Sequence, residues 1–143
     1  MRKHVQGMVS GDVPAPAIAT LIGFTLVAVG DGRATFALET DPARHGNPMG
    51  TVHGGVLCDL ADAAMGTAYA STLEEGETFT TLELKINFLR PVWRATLRAE
   101  GRVVQGGRTV GMVECDVFDE RERLVARATS TCLTLRGEQA SGR

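Results

Sequence analysis

The residues of this chain that are best suited to chemistry lie between Thr51 and Asp62. His53, Gly54 and Gly55 come at the predicted start of a long apolar helix, and Asp62 follows on the same helix among alanines and leucines. A helix start offers unpaired backbone N–H groups and the positive end of the helix dipole, which favour developing negative charge. A carboxylate in an apolar helix costs stability unless something uses it. An anion-binding helix start and a poised carboxylate together predict hydrolysis of an ester or thioester.

The spacing of these groups favours a site shared by two subunits. Asp62 lies nine residues after His53, which is about 13 Å along a helix at roughly 1.5 Å per residue. That distance is too long for both residues of one chain to act comfortably on one carbonyl group. The segment therefore predicts two half-sites, each completed by a neighbouring subunit.

Composition narrows the class of protein. A chain of 143 residues is long enough for one domain with a sizeable core. A net charge of −2 without long blocks of like charge gives no support for binding nucleic acid or a membrane surface. No apolar stretch follows the basic residues 1–4, so they do not read as a signal peptide, and no run approaches a membrane span. Three scattered cysteines without metal-ligand spacing indicate a reduced, cytoplasmic, metal-free protein.

The elements that must position the chemistry follow from periodicity and turn residues. Apolar residues at helical spacing predict one buried helix, and alternating apolar and polar residues predict strands before and after it. The simplest packing is α+β, with an antiparallel sheet wrapped around the helix, and pairing of exposed sheet edges predicts a homo-oligomer. The chain is predicted to consist of a loose segment 1–12, a domain over 13–136 and a polar tail 137–143. Within the domain we expect a short helix 14–22, a hairpin of strands 24–29 and 34–39, and a polar loop 40–50. The buried helix follows from 54 to about 73, and then strands 80–89, 95–104, 109–118 and 124–135.

Four motifs over roughly residues 35–135 together carry a family resemblance. They are the Asn-Pro-Met-Gly-Thr-Val-His-Gly-Gly run from Asn47 to Gly55, the Leu-Ala-Asp that ends at Asp62, the strand 81–91 and the closing stretch 124–131. In this order and spacing they resemble the hotdog-fold acyl-CoA thioesterases of the PaaI type, the phenylacetate-degradation group that also holds one kind of 4-hydroxybenzoyl-CoA thioesterase. The resemblance implies hydrolysis of an acyl-CoA to a free acid and coenzyme A, with no cofactor besides the coenzyme A of the substrate. It also implies dimers assembled into a tetramer, with active sites across the dimer interface.

The resemblance assigns catalytic roles to five positions. Asp62 would either attack the thioester carbon or activate a water molecule, and the amide of Gly55 would bind the carbonyl oxygen as it becomes negative. His53 would orient the loop or the leaving group. Asn47 would position the water or the thioester, although Asn-Pro is also a common turn opener. Thr81 would hold a water or the carboxylate, although threonine is also simply a good strand former. Across the interface, Asn47, His53 and Gly55 of one subunit would face Asp62 and Thr81 of the partner subunit.

Substrate contacts are expected from a second set of residues. Gly54 would allow close approach of the substrate, and Arg90 and Arg108 are candidates for the coenzyme A phosphates, although exposed arginines at turns are usually only solvated. The acyl group would lie among apolar residues of the helix and sheet, whose shape cannot be read from residue types. Aryl, arylacetyl and medium-chain acyl groups all fit this expectation. The expected pocket residues are Met65, Tyr69, Leu82 and Phe88.

Other residues are expected to be structural, and two rival functions stand beside hydrolysis. Asp59 at the helix start is interpreted as a solvated residue, and Trp93 as a residue that packs at an edge. His4 and His45 lie in polar segments without partner residues and are expected to be inert. The first rival is a non-catalytic hotdog module that binds acyl-CoA or a protein partner; the carboxylate beside the His-Gly-Gly group argues against it. The second is a hotdog hydratase or dehydratase, which would be expected to show a different histidine and acid pattern.

Overall fold

A single antiparallel sheet and one long helix dominate the computed structural model, which describes residues 1–141. The sheet has six strands in the order β1-β2-β4-β5-β6-β3, so the strand that follows the long helix in sequence pairs with the last strand. The elements are α1 Arg2–Ser10, α2 Ala17–Ile22, β1 Thr25–Gly30, β2 Arg33–Glu39, α3 Pro42–His45, α4 Gly54–Ala70, β3 Thr78–Phe88, β4 Thr96–Gly106, β5 Val110–Phe118, β6 Leu124–Leu135 and a 3₁₀ turn Gly137–Ala140.

Helix α4 is buried against the inner face of the sheet, which confirms the predicted hotdog architecture. It packs on β2, β4 and β5, and its core residues Leu60, Ala64 and Met65 have no exposed surface. Small residues permit this close approach: a Cβ added at Gly101 on β4 would lie 2.3 Å from the carbonyl oxygen of Ala64. The helix ends at Ala70, a few residues before the predicted end.

The two faces of the sheet differ in polarity because side chains alternate along each strand. On the inner face, Leu97, Val113 and Val117 are fully buried beneath α4. On the outer face, charged residues of neighbouring strands pair, as in the bond of 2.5 Å from Arg127 Nε to Asp116 Oδ1. The outer face is therefore a solvent-facing surface held by ion pairs between strands.

The first residues of the chain correct the prediction of a loose segment. Residues Arg2–Ser10 form helix α1, which ends at Gly11 with φ 84° and packs on β1 and α4. Val5 is its one fully buried residue. The short helix carries only a weak periodic pattern, and for that reason it was not predicted.

The predicted polar loop 40–50 also contains structure. Helix α3 begins after Asp41, whose carboxylate accepts a hydrogen bond from the Ala43 amide. His45 was expected to have no partner, yet it is 5% exposed, accepts a bond from the Asp41 amide at 3.0 Å and contacts the Ile22 carbonyl oxygen at 2.8 Å. Its role is to tie the loop to α2.

Strand β3 forms one free edge of the sheet. Its apolar side chains Leu82 and Phe88 are 55% and 53% exposed in the single chain. A long strand with an unpaired backbone edge and exposed apolar residues is a surface that proteins normally cover.

None of the helices within residues 1–141 combines the length and apolar character needed to cross a membrane.

Candidate active site

Asp62 and Thr81 form the first part of the site. Asp62 lies on α4 and Thr81 on β3, and the Thr81 hydroxyl donates a hydrogen bond of 3.2 Å to Asp62 Oδ1. Burial raises the pKa of the Asp62 carboxyl above its ordinary value, the Thr81 bond opposes this, and the nearby Asp59 raises it further. The side chain nevertheless remains accessible. A carboxylate that is partly desolvated, held by one hydroxyl and open to a cavity is suited to act as a base or nucleophile.

A cavity of about 340 Å³ opens beside this pair, and we call it the Asp62 cavity. Its volume lies within the range of small-molecule sites. Three phenylalanines from the sheet side, Phe24, Phe36 and Phe79, contribute to a mainly apolar lining. Asp59, expected to be only solvated, also lies on this lining.

The start of α4 forms the second part of the site, and its geometry differs from the prediction at one atom. His53 caps the helix: its Nδ1 accepts a hydrogen bond of 2.9 Å from the Gly55 amide. The Gly55 amide was expected to bind the carbonyl oxygen, but this bond already occupies it. The Gly54 amide, one residue earlier, makes no hydrogen bond to any other residue of 1–141. The free donor at the helix start is therefore Gly54.

Gly54 lies on a second cavity, of about 410 Å³, which we call the Gly54 cavity. Asn47, Phe88 and Arg90 line it as well. The side chain of Asn47 holds its own loop together: its Nδ2 donates to Thr51 Oγ1 at 2.8 Å, and its Oδ1 accepts from the Met49 and Thr51 amides. In this chain Asn47 thus shapes the wall of the Gly54 cavity.

The two parts of the site are separate within one chain. No residue lines both the Asp62 cavity and the Gly54 cavity. Gly54 and Asp62 are eight residues apart on α4, or about 12 Å along the helix axis. One chain therefore presents a carboxylate half-site and an amide half-site that do not meet.

The structure brings only some of the predicted substrate contacts to these cavities. Arg90 and Phe88 lie on the Gly54 cavity, whereas Arg108 lies exposed in the β4–β5 turn and lines neither cavity. Met65 is fully buried, and Tyr69 is 2% exposed with its hydroxyl bonded to Thr134 Oγ1 at 2.8 Å. Both side chains stabilise the core beneath α4 and lie outside the lining of the Asp62 cavity, because they point towards the sheet.

Helices α1 and α2 supply cavity residues that sequence reasoning missed. Val5 and Met8 of α1 and Ala19 of α2 line the Asp62 cavity. Their signal in the sequence was the spacing of Met1, His4, Val5 and Met8, which places these residues on one helical face. The short helix predicted over residues 14–22 is confirmed as Ala17–Ile22, with Pro16 as its N-cap.

Residues that could bind a metal ion do not cluster. Within residues 1–141, no group of three or more His, Cys, Asp or Glu side chains is arranged to hold one.

The three cysteines are free thiols: Cys115 and Cys132 are buried, and Cys58 is partly buried. Burial raises the pKa of the Cys115 thiol to about 12, so it is an unreactive core residue.

Comparisons with known proteins identify the family of this chain. A family model described as the thioesterase superfamily matches residues 49–126, more than half of the chain. A protein of Saccharolobus solfataricus described as a putative esterase is 37% identical over 87 residues, which are 61% of this chain and 61% of that protein. The 1,4-dihydroxy-2-naphthoyl-CoA hydrolase of Listeria monocytogenes is 30% identical over 110 residues, covering 77% of this chain and 89% of the hydrolase.

A solved structure is similar over almost the whole chain. The crystal structure of a Ralstonia eutropha protein, described as a putative thioesterase and a phenylacetic acid degradation-related protein, superposes with a TM-score of 0.83. It is 33% identical, and the match covers 91% of this chain and 98% of that one. The hotdog architecture and the resemblance to the PaaI type, both expected from the sequence, are confirmed.

Proposed function

Because this chain belongs to the thioesterase superfamily and is a thioester hydrolase, we propose that it cleaves an acyl-CoA to a free acid and coenzyme A. The observation that carries the proposal is the Thr81–Asp62 hydrogen bond at the mouth of an apolar cavity. The named activity of the Listeria relative, hydrolysis of an aryl-CoA thioester, supports the substrate class.

Asp62 supplies the reacting carboxylate. As a general base it takes a proton from water while the water oxygen attacks the thioester carbon. The tetrahedral intermediate then collapses, the C–S bond breaks, and the departing sulfur takes the proton. As a nucleophile it attacks the same carbon and expels coenzyme A as a thiolate; water then hydrolyses the resulting anhydride and supplies the proton that the thiolate takes. A single turnover in H₂¹⁸O separates the routes: only the anhydride route can place ¹⁸O in the Asp62 carboxyl group.

The negative charge that develops on the carbonyl oxygen is stabilised by the start of α4. The Gly54 amide is the free donor there, and the positive end of the helix dipole favours the developing charge. His53 caps the helix through Gly55 and so keeps the amides of the first turn in place. This assignment replaces Gly55 by Gly54 as the oxyanion-binding residue.

A complete site requires two subunits. The half-site of Asp62 and Thr81 does not meet the half-site of Gly54 and Asn47 within one chain, and the exposed edge of β3 is available for pairing. A dimer joined along β3 would bring the Gly54 cavity of one subunit towards the Asp62 cavity of its partner, and a tetramer would contain two such dimers.

Coenzyme A would approach through the Gly54 cavity, where the guanidinium of Arg90 can contact a phosphate. Arg108 remains a candidate for the nucleotide only if a partner subunit brings it to the site. The reaction as written needs no metal and no redox cofactor. The cytoplasm, where acyl-CoA is used, is the compartment that we propose.

The decisive experiment is release of free thiol from a panel of aryl-, arylacetyl- and alkyl-CoA thioesters. Wild-type protein should hydrolyse part of the panel, and Asp62→Asn should lower kcat by about 10²- to 10⁴-fold, the range for a lost acid–base group. The Asn variant should still bind acyl-CoA. If wild-type protein binds acyl-CoA but hydrolyses none of the panel, the protein is a binding module and the proposal is wrong.

A further inference from the structure

Helix α1 closes one side of the Asp62 cavity. Met1, His4, Val5 and Met8 all line it, at intervals that place them on one face of the helix. The helix packs on β1 and α4, and Val5 is 5% exposed. Helix α1 is therefore a packed part of the cavity wall.

A second wall is made of small residues of α4. Ala63, Gly66 and Ala70 follow Asp62 along the same face of the helix, and all three line the cavity. From Asp62 to Ala70 this face is about 12 Å long. At Gly66 an added Cβ would come within 3.1 Å of the Phe79 ring, so the glycine lets that ring pack closely against α4. The cavity is thus a channel that leads away from the reacting carboxylate, with small α4 residues on one side and bulkier side chains of α1, α2 and the sheet around it.

Acidic side chains outnumber basic ones on the lining of this channel. Asp59 and Asp62 line it together with His4, and no lysine or arginine of residues 1–141 does. An acyl group with its own carboxylate would meet two acidic side chains and no lysine or arginine, so like charges would repel it.

From this placement we propose that α1 forms the size-limiting wall of the acyl pocket, with Met8 as the side chain that sets its depth, and that the pocket takes an uncharged, apolar acyl group. The inference rests on the proposed thioesterase function. Met8 is suited to this role because it is partly buried and unbranched, so that its side chain can adapt to the ligand.

The test is a change of acyl preference in Met8→Trp, with Val9→Trp as the matched control. Val9 is the next residue on α1, is 44% exposed and does not line the cavity. The larger ring at position 8 should lower kcat/KM for octanoyl-CoA and phenylacetyl-CoA by at least about tenfold relative to acetyl-CoA, a typical effect of reshaping an apolar pocket. Val9→Trp should leave these ratios unchanged. Thermal melting of both variants checks that α1 remains folded.

Two outcomes would overturn the inference. An equal loss with all three substrates would show that α1 only supports the fold, and a preference of the wild type for succinyl-CoA over octanoyl-CoA would contradict the uncharged class. Binding keeps the test independent of turnover: octanoyl-CoA affinity is measured in Asp62→Asn with and without Met8→Trp. If wild-type protein is inactive but Met8→Trp still weakens octanoyl-CoA binding, the proposed function fails while the pocket assignment stands.

Discussion

The Thr81 hydroxyl donates a 3.2 Å hydrogen bond to Oδ1 of Asp62 and so links the edge strand β3 to the buried helix α4. This bond stabilises the charged form of a carboxyl group whose pKa is raised by burial. Thr81 is therefore a positioning residue with a measurable electrostatic effect. It fixes one oxygen of Asp62 and leaves the other free to face the cavity.

The first prediction concerns pH. Asp62 must be ionised to act, so kcat/KM should fall as the pH drops through its raised pKa, above the ordinary value of 3.8. Thr81→Val removes the bond that lowers the pKa and should move this acid limb to higher pH, whereas Thr81→Ser should leave it in place. A pH–rate profile that is the same for the Val and Ser variants would contradict this role.

The same pKa shift also affects the stability of the folded protein. A carboxyl whose pKa is higher in the folded state than in the unfolded state contributes stability at low pH, and this contribution is lost as the pH rises through the folded pKa. At neutral pH the ionised Asp62 thus opposes folding, so Asp62→Asn should melt at the same temperature as wild type or higher. This makes Asp62→Asn a suitable inactive variant for binding experiments.

The second prediction concerns the Gly54 amide. Gly54 is the first residue of α4, a position where proline is well tolerated, and His53 before it has φ −63° and ψ 136°, values that a residue preceding proline readily adopts. Gly54→Pro removes the N–H, and kcat should fall by about 10²- to 10³-fold, as for other lost oxyanion donors.

Gly54→Ala is the control for added bulk. Its Cβ would lie 2.8 Å from the ring of Phe88, an exposed side chain that can shift. It retains the amide and should therefore keep most of the activity. Equal activity of the Pro and Ala variants would exclude the Gly54 amide as the donor.

The third prediction separates capping from catalysis at His53. Its Nδ1 satisfies the Gly55 amide at the helix start. His53→Ala should lower the free energy of unfolding by about 1 kcal/mol, the usual cost of losing an N-cap, and His53→Ser should recover much of it because serine is a favoured cap. Urea unfolding measures both. If the Ser variant is stable and active, the histidine serves as a cap; if it is stable but inactive, the ring has a direct role in catalysis.

The fourth prediction compares two arginines. Arg90 lies on the Gly54 cavity, and Arg108 lies in an exposed turn that lines neither cavity of the site. Arg90→Ala should raise KM for an acyl-CoA and leave KM unchanged for the matching acyl N-acetylcysteamine thioester, which has no phosphates. Arg108→Ala is the matched control. A larger KM effect from Arg108 would show that a partner subunit brings that turn to the nucleotide.

Local patterns predicted much of this fold. The Gly-Asp-Gly turn places Asp31 at φ 50° and Gly32 at φ 74°, as the predicted hairpin requires, and strand β6 has the predicted bounds 124–135. The buried helix α4 followed from its apolar periodicity. These features depend on residues that are close in sequence, and the predicted wrapping of the sheet around the helix followed from their order along the chain.

Features that depend on distant contacts were missed or only partly predicted. Pairing of β3 with β6 joins strands far apart in the chain, and the stability of α1 comes from packing on β1 and α4. The choice between the Gly54 and Gly55 amides depends on the rotamer of His53, which residue types do not determine. In the same way Met65 has the right chemistry for an acyl pocket, but the rotation of α4 directs it into the core.

The central claim is that Asp62 of one subunit acts with Gly54 of another, and subunit complementation tests it most directly. Asp62→Asn and Gly54→Pro chains, each almost inactive alone, are co-expressed with different tags. A mixed dimer then contains one site with both defects and one intact site, because the two sites of a symmetric dimer exchange these residues.

We predict that purified mixed dimers regain about half of the wild-type activity per dimer, since one of two sites is intact. Mixed dimers of Asp62→Asn with Asp62→Ala serve as the negative control and should remain inactive. If the Asp62→Asn and Gly54→Pro pair forms mixed dimers without any gain in activity, both residues act within one chain and the shared-site account is wrong.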